Sequence, residues 1–144
     1  MKSVLLCFTI LLYSVSSIAY QKTPAQVQIE SYSKDPYLAE VLAETKWPYA
    51  LAGIAERESG FRYYVYGDGG DSFGLYQYQE KHWGKGGKTV EEQTRKAEEI
   101  FESLVQECGY SKAKERWNGS GRKARIYKAN LDKTIRSIQR CDLS

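Results

Sequence analysis

The chain has 144 residues, with 21 Lys and Arg against 18 Asp and Glu and a net charge of +3. That length fits one domain, and so small a charge excludes proteins that live on the phosphate backbone of nucleic acids. One histidine and three cysteines form no cluster with metal-ligand spacing, so neither a metal nor another cofactor is expected.

The first element reads as a secretory leader. Lys2 precedes the apolar run Val4–Leu12, small and polar residues fill Ser14–Ala19, and Ser17-Ile18-Ala19 offers a small-x-small cleavage site. The run is too short for a comfortable membrane span, although an uncleaved anchor is the alternative. The chain therefore divides into a signal peptide, 1–19, and a domain, 20–144, expected to be periplasmic or secreted, monomeric and without a stable membrane span. Cleavage removes Lys2 and Cys7, leaving a charge of +2 and the pair Cys108 and Cys141. An even pair in an exported protein points to a disulfide, closing a loop of about 33 residues for roughly 3.5 kcal/mol. Two free thiols are the alternative.

Four helical segments follow. Asp35-Pro36 is an N-cap and N1 proline, after which Leu38, Val41 and Leu42 make an apolar stripe. Pro48 opens and Gly60 closes a second helix, in which Leu51, Ile54, Ala55 and Glu58 fall at i, i+3, i+4 and i+7. Thr89-Val90-Glu91-Glu92 is a capping box before Ala97, Ile100, Phe101, Leu104, Val105 and Cys108. The last helix carries Ala124, Tyr127, Leu131, Ile135 and Ile138 on one side. Basic residues crowd from Lys112 to Arg140; a solvated helix face explains them most simply, and attraction to an anionic polymer such as cell-wall glycan is compatible.

Between the second and third helices the composition changes. The stretch from Gly60 to Gly87 holds eight of the twelve glycines and eight aromatic residues, which predicts turns with one short hairpin. Loops on a rigid helical scaffold commonly carry binding sites, and aromatic faces offer flat apolar platforms to sugars.

Glu58 is the outstanding residue. It lies on the apolar stripe of its helix and close to the C-terminus. Burial and the negative end of the helix dipole both disfavour its charged form, as a general acid near neutral pH requires. A structural ion pair with a nearby Lys or Arg is the plainer alternative. Ser59 has no neighbouring histidine and is not a nucleophile; helix-end packing or a bond to Glu58 suits it. His82 reads as a loop histidine.

Three ordered motifs surround this acid: Glu58-Ser59 after Ala52-Gly53-Ile54, then Gly74-Leu75-Tyr76-Gln77, then Trp117-Asn118-Gly119-Ser120-Gly121, with Tyr127 nine residues past Asn118. Together they resemble the goose-type lysozyme and soluble lytic transglycosylase superfamily, over about Tyr37 to Ile138. The resemblance implies a mainly α, lysozyme-like (α+β) single domain that cleaves peptidoglycan between MurNAc and GlcNAc. Glu58 would be the general acid and base, Ser59, Asp68, Tyr76 and Gln77 would line the cleft, and Asn118 and Tyr127 would position the sugar. Small members often serve a secretion, conjugation or phage apparatus, so such a partner is expected beside the glycan strands. Hydrolysis needs a second carboxylate to activate water. Gln79 stands where goose-type enzymes carry an Asp, which favours the 1,6-anhydro-forming transglycosylase; Asp68 and Asp71 keep a hydrolytic lysozyme open, with a non-catalytic peptidoglycan-binding module as the further alternative.

Overall fold

A computed structural model describes residues 20–141; residues 1–19, where a leader is expected, and 142–144 lie outside the described residues. The architecture is mainly helical: α1 (Pro24–Ser33), α2 (Pro36–Ala43), α3 (Pro48–Ser59), α4 (Glu80–Trp83), α5 (Val90–Cys108), α6 (Tyr110–Arg116) and α7 (Gly121–Gln139). One two-stranded antiparallel hairpin, β1 (Tyr66–Gly67) and β2 (Ser72–Phe73), sits between α3 and α4. It pairs Tyr66 with Phe73 across a 3-10 turn at Asp68–Gly70.

The expected caps are formed. Asp35 accepts from Leu38 N at 2.9 Å at the start of α2, Thr89 and Glu92 make the reciprocal capping box of α5, and Gly60 ends α3 in the left-handed region at φ 59°. Three helices have no counterpart among the predicted segments. α1 begins with Thr23 capping Gln26 N at 3.1 Å, but its inward face includes Gln26, which is buried and accepts from Tyr20. That polar inward face breaks the apolar periodicity. α4 and α6 are short and mostly polar; α6 is held by its packing on α5 and α7.

α3 is the central helix, packed by α1, α2, α5 and α7. Ala50, Leu51, Ala52, Ile54 and Ala55 are all buried, so α3 is enclosed well beyond the single predicted stripe. Its small residues make this possible. A Cβ on Gly53 would stand 2.8 Å from Leu131 Cδ1 and 2.9 Å from Ile135 Cγ1 of α7. Among the described residues the core draws on side chains from Ile29 to Ile138.

The expected Cys108–Cys141 bridge is not formed, and both thiols are free. Cys108 donates to Leu104 O at 3.1 Å and Cys141 to Ser137 O at 3.5 Å. The physical reason is α6. It follows α5 directly and packs on both α5 and α7, while the end of α7 turns to α1, where Gln28 Nε2 donates to Gln139 O at 2.8 Å.

Gly53→Ala gains up to about 1 kcal/mol of helix propensity but overpacks the α3–α7 contact, which costs about 1–3 kcal/mol. The second effect is the larger. We expect a net loss of about 1 kcal/mol in urea denaturation of residues 20–144; a stabilised variant would show that the contact is slack.

Candidate active site

A cavity of about 600 Å³ opens beside the C-terminal end of α3. Glu58 lines it, together with Asp68 of the hairpin turn, Gln77, Tyr78 and Gln79 after β2, His82 and Trp83 of α4, Ile100 and Leu104 of α5, and Arg116 to Gly119 at the end of α6.

Glu58 is half-buried, while Arg57 beside it is exposed. Tyr127 reaches over from α7 and donates its hydroxyl to Glu58 Oε1 at 2.6 Å. Among the described residues Oε2 accepts no hydrogen bond, which leaves it to carry a proton. Burial pushes the Glu58 carboxyl above the ordinary 4.5, and neighbouring Asp68 adds to this; the Tyr127 bond and Arg57 oppose it without cancelling it. Burial and the adjacent Glu58 charge keep the Tyr127 phenol protonated well above its ordinary range. Tyr127 is therefore a donor to Glu58.

Asp68 is exposed and accepts from Ser72 Oγ at 2.8 Å. Gln77 lines the cavity while its Nε2 donates to Val65 O at 2.9 Å and Gly74 O at 2.8 Å, so its amide fastens the loop it sits on. Asp68 (φ 49°) and Gln77 (φ 46°) are two of the four non-glycine residues with positive φ among the described residues; strain of this kind persists only where surrounding bonds enforce it, and it gathers at functional sites. Asn118 reaches the cavity because α6 ends in a tight turn, with Asn118 N on Glu115 O at 3.1 Å and Gly119 at φ 100°.

Three expected site residues lie elsewhere. Tyr76 does not line the cleft: it is fully buried, its ring turned into the core and its hydroxyl paired with Thr94 Oγ1 of α5 at 2.7 Å. Ser59 is buried, donating to Ala55 O at 2.9 Å and accepting from Arg62 N at 3.2 Å, so its hydroxyl closes the helix end, one of the two roles its sequence position suggested, and it is not among the cavity-lining residues. Asp71 is exposed and paired with Lys81 at 3.8 Å, outside the cavity lining. In turn, Tyr78, Trp83, Trp117 and Arg116 line the cavity without having been singled out as site residues. The aromatic richness of 60–87 pointed to that loop, but composition could not say which rings turn inward. His82 lies on α4 and reaches the cavity.

One α5 side chain holds the whole loop in place. Gln93 is buried; its Oε1 accepts from Leu75 N at 2.8 Å, and its Nε2 donates to Tyr63 O at 3.2 Å and Lys88 O at 3.1 Å. Gly74, at φ 80°, lets it approach, since a Cβ there would meet Gln93 Oε1 at 2.2 Å.

The arrangement suits proton transfer: a carboxyl biased to hold a proton, one oxygen free, in a cleft with aromatic walls and amide groups. Compared with family models, with curated proteins and with solved structures, the chain matches none of them.

Because folding raises the Glu58 pKa, its stabilising effect is present below the unfolded value and is lost as pH rises through the folded one. Glu58→Gln is therefore expected to melt at a higher temperature than the parent at pH 7.5, with the gap closing near pH 4. A gap independent of pH would show that Glu58 is not held protonated by burial. Gln77→Ala frees two carbonyls at a strained residue and is expected to cost about 2 kcal/mol, read by urea denaturation.

Proposed function

We propose that this chain is an exported, lysozyme-like enzyme that cleaves peptidoglycan, a lytic transglycosylase with Glu58 as its only proton-transfer group. The observation that carries the reading is the half-buried Glu58 carboxyl, pKa raised, bonded to Tyr127 and facing a cavity of about 600 Å³. In this mechanism protonated Glu58 donates to the glycosidic oxygen as the C1–O bond breaks. The resulting carboxylate then takes the proton of the muramic C6 hydroxyl, whose oxygen closes on C1 to give the 1,6-anhydro product. Trp83 and Trp117 supply faces for the sugar rings, and Asn118 and Gln79 supply polar contacts. Peptidoglycan strands are the partner, and a secretion, conjugation or phage apparatus is the setting that fits a small exported enzyme of this kind.

Gln79 lines the cavity at the position where the goose-type pattern has a carboxylate, which favours internal attack over water. The competing hydrolytic reading has one observation behind it: Asp68 lines the same cavity. A base there would activate water on the face opposite Glu58.

Mass spectrometry of purified peptidoglycan digested by residues 20–144 separates the readings. Anhydro ends, lighter by one water, are expected, with no products from Glu58→Gln. Reducing ends would make the protein a hydrolase and bring Asp68 forward. Glycan binding without products would make it a binding module. Tyr127→Phe removes the donor that favours the carboxylate, so the alkaline limb of the pH–rate profile is expected to move to higher pH; an unmoved limb would take Tyr127 out of the proton-transfer machinery.

A further inference from the structure

The late basic residues have a geometry that the cleft does not use. On α7, Ala124, Leu131, Thr134, Ile135 and Ile138 are buried. Arg122, Arg125, Lys133 and Arg136, with Arg140 at the C-cap, are exposed on the opposite side. At 100° per residue these five occupy a sector of about 80° and a row about 27 Å long. Among the described residues no carboxylate lies within ion-pair distance of any of them; the one acid of α7, Asp132, is taken by Lys114 and by Lys128 at 2.6 Å. α5 carries Glu91, Glu92, Glu98, Glu99, Glu102 and Glu107 against Arg95 and Lys96, but three of these acids are paired, Glu99 with Lys96, Glu102 with Lys46 and Glu107 with Arg116. A small net charge thus hides a row of cations on α7 without ion-pair partners among the described residues, and such a row is drawn to an anionic surface.

We propose that the outer face of α7 docks on an anionic phospholipid bilayer. Four of the five cations are arginines, whose forked guanidinium matches phosphate oxygens two at a time. The row is straight and outward, as a flat surface requires. Ile126, 52% exposed, borders the row and supplies an apolar side chain for the headgroup boundary, which a soluble polyanion has no use for. Tyr127, which bonds Glu58, points to the opposite side of α7, so a molecule seated on this row keeps its cavity open away from the membrane.

The test is sedimentation of residues 20–144 with vesicles of phosphatidylglycerol and phosphatidylcholine, and with phosphatidylcholine alone. It involves no glycan, so its outcome is independent of whether the cavity cleaves one. Binding is expected only to the anionic vesicles at 0.1 M salt, and is expected to be lost at 0.5 M. At about fivefold per cation, the triple variant Arg125→Ser, Lys133→Ser, Arg136→Ser should bind about 100-fold more weakly. A charge-matched control, Lys85→Ser, Lys88→Ser, Arg95→Ser, removes exposed cations away from α7 and should bind like the parent. Circular dichroism confirms that both variants are folded. Equal loss in the two triples, equal binding to neutral vesicles, or tighter binding to duplex DNA than to anionic vesicles would each overturn the proposal.

Discussion

The close approach of α3 and α7 is the constraint on which the site depends. Gly53 brings the two backbones together over Leu131 and Ile135, and about one turn before Leu131 the same helix pair delivers Tyr127 to Glu58. A hydrogen bond of 2.6 Å tolerates little displacement. The helix pair that forms the centre of the core therefore also sets the geometry of the acid. Stability and chemistry share one interface here, and any side chain that pushes the helices apart is felt in both.

The electrostatics of Glu58 are a balance. Burial acts most strongly, as the predicted helix position suggested; the phenol of Tyr127 and Arg57 pull the other way, and Asp68 pushes again. In the proposed mechanism Glu58 gives a proton and then accepts one, and such a group is best served when neither form is overwhelmingly favoured. Tyr127 contributes by stabilising the carboxylate without carrying a charge of its own.

The helices with strong caps and apolar periodicity, α2, α3, α5 and α7, were legible in the sequence, as was a hairpin in the glycine-rich stretch. α1 was not, because Gln26 occupies an inward position and satisfies its amide locally, and α6 was not, because seven mostly polar residues carry no periodic signal. At the site, Glu58 could be read from the conflict between its stripe position and its charge. Tyr76 misled, since a tyrosine beside a candidate cleft residue looks the same in sequence whether its ring enters the core or the cavity; only Thr94, eighteen residues away, explains its burial. The cysteines misled likewise, because their pairing depended on α6, the helix that composition did not announce.

Gln93 gives the cleft a particular place in the order of folding. Its amide joins Tyr63, Leu75 and Lys88, and it does so from a helix that follows all three in the chain. The glycine-rich loop cannot take its final path until α5 has docked, because three backbone groups between Tyr63 and Lys88 bond this amide and because Leu75, Tyr76 and Tyr78 are buried in the core. A molecule with this amide unattached would lack part of its core as well as its cleft. The loop therefore gains its stability and its cleft geometry in the same step.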